Sequence, residues 1–225
     1  MAALQPGEKV LLHAGASGVG SAGIQLCSVG NPCWVSVGSA ERLAYCESLG
    51  AAGGVLRKQS LESLRDFAPF DVILDPVGAR YAGLNLELLR RDGRWVIIGL
   101  MGGREAQLDL AQLLGKRIQL TGSTLRTRDA EFKAQLIAEL GLKVWPLFSA
   151  GKLRAQLERT FPIVDAEAAF EALASNQVQA RSCWWWTRRW PEGPLRRRDG
   201  KRDPLALSQR ACQRQALTGQ PISLA

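Results

Sequence analysis

KVLLHAGASGVGSAGIQL, residues 9–26, decides the fold. Its first half, Val10-Leu11-Leu12-His13-Ala14, is a short apolar run of β-forming character. From Ser17 onward the small and apolar residues are those of a packed helix. Between them sits a turn with glycines at Gly15, Gly18 and Gly20. Against the dinucleotide fingerprint G-x-G-x-x-G, the match is Gly15, Ser17 and Gly20, with a serine where the middle glycine usually stands. The physical logic survives that change. Small residues let the backbone bend sharply from strand to helix and approach a pyrophosphate, whose charge meets unpaired amide N–H groups and the positive end of the helix dipole. A tight turn with no ligand would use the same residues, and the strand before and helix after it favour the phosphate reading.

Outward from this stretch, strands and helices alternate. Residues 1–8 are a lead-in, with Gln5-Pro6-Gly7-Glu8 as the turn into the first strand. The first helix, residues 19–27, stops at Gly30-Asn31-Pro32. A second strand, residues 33–37, leads through Gly38 to Ser39, an N-cap for a helix over residues 40–49. Residues 54–56 form a short third strand, and residues 61–67 a polar-apolar helix. Strands follow at 70–75, 94–99 and 118–123, with helices at 81–89 and 108–114 between them. Asp92-Gly93 reads as the turn before the fifth strand. Six short apolar strands alternating with helices predict parallel βαβ units, hence α/β architecture with a doubly wound Rossmann sheet in the order 3-2-1-4-5-6.

In such a sheet, ligands bind at the carboxyl ends of the strands. The predicted crevice therefore runs through residues 15–20, 38–42, 75–78, 99–102 and 123–125, and all but the last segment carry glycine. The end of the second strand selects the cofactor. An Asp or Glu there would bind the ribose hydroxyls of NAD and repel a 2′-phosphate. Val37, Gly38 and Ser39 supply none. Ser39 can donate to a phosphate and Arg42, one turn on, can reach it as a charge-assisted partner. Arg57 and Lys58 follow the third strand at the same adenosine end. This favours NADP, against a reading in which Ser39 only caps and Arg42 only lies on a solvated face beside Glu41.

Composition narrows the function classes. The chain has 225 residues, 46% of them hydrophobic, and a net charge of +8. Residues 178–225 hold ten Lys/Arg and three Asp/Glu, a net of +7, whereas residues 1–177 hold nineteen and eighteen. The excess charge belongs to the tail, so nucleic-acid binding is not expected of the folded part. Five cysteines, Cys27, Cys33, Cys46, Cys183 and Cys212, have no Cys-x-x-Cys spacing, which argues for buried reduced thiols and no metal site. No leader pattern or apolar run of membrane-spanning length is present, so a cytoplasmic protein is expected.

Read together, the landmarks resemble the zinc-independent quinone oxidoreductases of the medium-chain dehydrogenase/reductase superfamily. HAGASGVGSAGIQL (13–26), GSAERLAYCESLGA (38–51), FDVILDPVG (70–78), DGRWVIIGLMGG (92–103) and TGSTLRTRD (121–129) fall in that family's order and spacing. The resemblance covers residues 5–179 and implies NADPH-dependent, zinc-free hydride transfer to a quinone or activated enone. It implies that Gly15, Ser17, Gly18, Val19 and Gly20 hold the pyrophosphate. Gly38, Ser39 and Arg42 would hold the adenosine ribose phosphate, with Arg57 where the family often has a tyrosine. Asp75, Gly78, Gly99, Leu100 and Met101 would face the ribose and nicotinamide. Arg42 replaces a lysine common at its position and preserves the charge. A homodimer through the edge of the sixth strand is also implied.

Family members carry a GroES-like catalytic domain before this segment, and it is expected to be absent here. No catalytic residue is assigned: the only histidine, His13, falls in a buried strand and reads as a core residue. Within the domain of residues 9–179, two further helices are predicted, residues 131–148 with an interruption at Gly141, and residues 165–174. Residues 180–225 form a basic tail, predicted to be disordered. In the family a Gly-Lys-Ile-Val-Leu type strand follows, but residues 180–187 read ARSCWWWT. The codons GGC AAG ATC GTG CTG GTG GTG GAC, read one base later, encode Ala-Arg-Ser-Cys-Trp-Trp-Trp-Thr. The tail is therefore expected to be out-of-frame translation of a GC-rich gene, which resequencing around codon 179 tests. The rival is a basic aromatic arm for single-stranded nucleic acid.

Overall fold

A computed structural model describes residues 2–162 and 165–175, and the backbone of 181–185. The chain divides into one unit of Met1–Phe161 and Asp165–Trp184 and a second of Pro162–Val164 and Trp185–Ala225.

Six strands form one sheet, every neighbouring pair parallel: β1 (Val10–His13), β2 (Cys33–Val37), β3 (Gly53–Leu56), β4 (Phe70–Asp75), β5 (Leu89–Ile97) and β6 (Gln119–Gly122). Their order is β3-β2-β1-β4-β5-β6, as the alternation predicts. Because successive side chains point to opposite faces, β1 feeds two cores. Leu11 joins Phe70, Ile73, Leu86, Leu88 and Trp95 on one face. Val10 and Leu12 join Ile24, Cys33, Val35 and Cys46 on the other. All four residues of β1 are buried, which a parallel sheet covered on both faces demands. Each fully buried Leu, Ile or Phe of these clusters contributes about 1.5–3 kcal/mol over its exposed state.

The helices are α1 (Gly18–Cys27), α2 (Ala40–Ser48), α3 (Ala82–Leu88), α4 (Leu110–Lys116), α5 (Ala130–Lys143), α6 (Trp145–Ser149) and α7 (Ala166–Ala174). Several boundaries differ from the sequence reading for physical reasons. Leu61–Phe67 is a 3-10 helix, and its first residue is preceded by Ser60 without a side-chain cap. Asp92 and Gly93 lie inside β5 as an irregularity: Asp92 adopts φ 62° and pairs with Arg117, which itself sits at φ 51° at the end of α4. The predicted break at Gly141 falls instead at Val144, because Pro146, in the first turn of the short α6, has no N–H with which to continue the α5 ladder. Gly141 stays helical, and a Cβ there would meet the Trp145 ring at 3.4 Å.

β7 (Leu157–Pro162) and β8 (Arg181–Trp185) pair as a separate two-stranded sheet. The first residues of the predicted disordered tail thus form a strand, in keeping with the β-propensity of Trp. The expectations for residues 186–225, including the out-of-frame tail and the nucleic-acid arm, lie outside the described residues. Cys27, Cys33 and Cys46 are buried and free; Cys212 lies outside the described residues.

Candidate functional site

The crevice forms where β1 and β4 lie side by side while their connections leave in opposite directions, the switch point of a doubly wound sheet. Its floor is the turn after β1. Ala14 adopts φ 54°, an uncommon conformation for a residue with a side chain. The Ser17 N–H then closes the turn on Ala14 O at 2.9 Å. Ser17 caps α1, its Oγ accepting from the Gly20 N–H at 3.0 Å. That cap is the use of the serine replacing the fingerprint's middle glycine. The N–H groups of Gly18 and Val19, in the first helical turn, have no intrahelical acceptor and face outward with the positive end of the dipole. Gly20 is required by packing: a Cβ would lie 2.4 Å from Gly15 O and 2.6 Å from Ala14 O. Gly15 packs instead against β2, where a Cβ would meet Val35 at 2.6 Å.

At the end of β2 the structure brings together three of the predicted residues. A Cβ on Gly38 would lie 3.4 Å from Arg42 Nη1 and 3.6 Å from Arg57 Nη2. Two guanidinium groups from different elements therefore converge over one bare backbone position. Arg57 is placed by its own N–H, which continues the β2–β3 pairing by donating to Val37 O at 2.9 Å. Ser39 is the N-cap of α2, as the sequence predicts. Its Oγ accepts from the Arg42 N–H at 3.4 Å and donates to Glu41 Oε2 at 3.3 Å, so its hydroxyl is engaged locally. Burial pushes the Tyr81 phenol up from its usual range, while the nearby Arg57 and Arg80 charges pull the other way.

The third predicted corner is corrected in one respect. Asp75 is fully buried and its carboxylate turns inward, so its side chain faces no ligand. Oδ1 accepts from the Val77 and Gly78 N–H groups at 2.6 and 3.1 Å. Oδ2 accepts from Asn85 Nδ2 and Trp95 Nε1, both at 3.0 Å. Asn85 Oδ1 in turn faces His13 Nε2 at 2.8 Å, and His13 Nδ1 faces Ser36 Oγ at 2.8 Å. With the Asn85 amide donating to a carboxylate, its oxygen must accept, which places the His13 proton on Nε2. Burial holds the His13 pKa below its ordinary value, against the raising effects of Asn85 and Asp75. His13 is a core residue, as predicted, but it also joins a polar chain that the sequence reading missed.

Gly78 adopts φ 81°, and Gly99 lies against Pro76, where a Cβ would meet Pro76 O at 2.9 Å. Leu100 and Met101 project from the loop after β5, 54% and 71% exposed. Elsewhere, an apolar cavity of about 260 Å³ lies between α1, α5 and α6, lined by Leu26, Leu140, Val144 and Phe148 among others. Among the described residues, no group of three or more His, Cys, Asp or Glu could hold a metal ion. Likewise no described helix is long and apolar enough to cross a membrane.

Residues 18–140 match the family model described as zinc-binding dehydrogenase. The chain is 32% identical over 178 residues to the spectinabilin polyketide synthase system protein NorB of Streptomyces orinoci, covering 77% of this chain and 8% of that protein. It is 27% identical to the human mitochondrial enoyl-[acyl-carrier-protein] reductase, covering 78% of this chain and 51% of the relative. Among solved structures it is similar to the quinone oxidoreductase of Thermus thermophilus, determined alone and with NADPH. That match has a TM-score of 0.64 and 29% identity, covering 77% of this chain and 56% of the other. The chain thus spans little more than half the length of these relatives at most.

Proposed function

The chain belongs to the zinc-binding dehydrogenase family, and we propose that its crevice binds NADPH for hydride transfer to a quinone or activated enone. The observation that carries the cofactor is the convergence of Arg42 and Arg57 over Gly38, where residues 37–39 at the strand end include no Asp or Glu and the Glu41 carboxylate is turned to the Ser39 hydroxyl. A 2′-phosphate seated there meets two cations, whereas NADH brings them no charge to meet. The α1 N-terminus at Gly18 and Val19 receives the pyrophosphate. The loop bearing Leu100 and Met101 lies at the nicotinamide end.

The dihydronicotinamide supplies the hydride when bound. Leu100 and Met101, exposed on the loop after β5, would offer the ring apolar surface and limit water at that end. The relatives support an activated double bond or quinone as acceptor: one is an enoyl-[acyl-carrier-protein] reductase, another a quinone oxidoreductase that binds NADPH. The zinc of the family's name finds no donor set among the described residues. β6 is the last strand in the sheet order, and its edge pairs with a second copy in a cytoplasmic homodimer.

Titration with NADPH and NADH tests the cofactor reading, and tighter binding of NADH overturns it. Reduction of a test quinone by the chain separates a complete reductase from a cofactor-binding module without turnover.

A further inference from the structure

We infer that Asp75 is a positioning residue: its buried carboxylate sets the turn at residues 76–78, and that turn sets the loop carrying Leu100 and Met101. The inference rests on the NADPH reading above and extends it to the group that shapes the nicotinamide end.

The chain of contacts is continuous. One carboxylate oxygen of Asp75 accepts two consecutive backbone N–H groups, from Val77 and Gly78, which curls the chain immediately after β4. The other oxygen is anchored from below by Asn85 of α3 and Trp95 of β5. The curled turn is then stitched to the next loop by four backbone bonds. Ile98 N donates to Asp75 O at 2.8 Å, Met101 N to Pro76 O at 3.2 Å, Gly102 N to Val77 O at 2.7 Å and Ala79 N to Gly103 O at 3.2 Å. Space is equally tight. A Cβ on Gly99 would meet Pro76 O at 2.9 Å, one on Gly78 would meet Leu100 Cδ2 at 2.9 Å, and one on Gly102 would meet Val77 Cγ1 at 2.5 Å. The loop after β5 is thus templated on the turn after β4, and the turn is templated on one carboxylate.

The pyrophosphate turn and the arginine pair stand on other elements, α1, α2 and the end of β3. Asp75 makes no hydrogen bond to these residues; its link toward them runs at second hand, through Asn85, His13 and Ser36, whereas it holds the turn at residues 76–78 directly, so its effect is expected to be largest at the nicotinamide end. A buried Asp that served stability alone would have no such polarity.

The experiment compares two ligands on the full chain: NADPH, and 2′,5′-ADP, which has the adenosine and 2′-phosphate but no nicotinamide. Asp75→Ala is expected to weaken NADPH about tenfold, the equivalent of one lost hydrogen bond, and to leave 2′,5′-ADP within a factor of about two. Asp75→Asn, which keeps an acceptor for the turn, is expected to recover part of the loss. Equal weakening of both ligands, or of neither, overturns the inference. If Asp75→Ala does not fold, amide hydrogen exchange in the wild type decides: Val77, Gly78 and Gly102 exchanging as slowly as β4 supports it, and open-loop rates overturn it. Failure of wild-type 2′,5′-ADP binding would sink the cofactor reading instead, while the exchange result still judges the turn.

Discussion

The two ends of the crevice are built by opposite means. At the adenosine end, Arg42 and Arg57 converge over Gly38 from a helix and a strand end, Arg57 on the protein surface. At the nicotinamide end, the shape is set from inside, by a buried chain running Ser36, His13, Asn85, Asp75 and Trp95. The first end presents charge in contact with solvent, and in the proposed reading selects by it. The second fixes backbone geometry through groups that no ligand touches. It follows that damage to the first should alter binding and leave the fold intact, whereas damage to the second should show first in stability.

The largest expected effect is at the buried end. Asn85→Ala leaves one Asp75 oxygen and His13 Nε2 short of a partner in a site without water access. It is expected to cost about 2–4 kcal/mol, since an orphaned buried polar group bears its full desolvation penalty and the network is cooperative. Urea unfolding measures it. Arg57→Ala in the same assay should leave the midpoint unchanged, as expected for a surface substitution.

Next in size is the mirror experiment at the exposed end. Replacing Arg42 and Arg57 together by alanine should weaken NADPH about ten- to a hundredfold, as loss of charge-assisted bonds to a phosphate does. NADH affinity should not change. Calorimetric titration of both cofactors checks it, and an equal loss for NADH would mean the arginines serve the fold.

A smaller effect separates the ends by pH. His13 is held neutral in the fold, with its pKa lowered chiefly by burial. The unfolded chain therefore takes up a proton that the folded one refuses, beginning near the ordinary histidine value of about 6.5. Stability should be level above that pH and fall as pH drops below it, by at most about 1.4 kcal/mol per pH unit for one group. His13→Gln should remove this slope. Smallest of all, raising salt from about 0.05 to 0.5 M should weaken NADPH by a few-fold more than NADH, because only the 2′-phosphate depends on screened surface charge.

The same contrast explains what could be read from sequence. The sheet order was legible because buried parallel strands appear as short apolar runs between helices, and right-handed crossovers leave few topologies. The arginine corner was legible because it depends on residue type near strand ends, Arg42 one helical turn past Gly38 and Arg57 directly after β3. The Asp75 network was not, because Asn85 and Trp95 lie ten and twenty residues from Asp75 and His13 lies seventy-two from Asn85, so no local spacing announces them. The only local sign was an acid closing an apolar strand, FDVILD, followed directly by Pro76: an Asx turn in waiting. The Ser39 cap was legible as a hydroxyl directly before the helix, whereas its second bond, to Glu41, depends on a rotamer that the sequence does not announce. The helix break was misplaced from Val144 to Gly141 because a packing glycine and a breaking glycine look alike, while Pro146 gave the decisive constraint.

The most direct test of the account is the ratio of dissociation constants for NADPH and NADH on the unaltered chain, measured by calorimetry at low ionic strength. Two guanidinium groups facing the 2′-phosphate predict NADPH binding at least about tenfold tighter, the usual worth of one charge-assisted hydrogen bond. Equal affinities, or a preference for NADH, would contradict it.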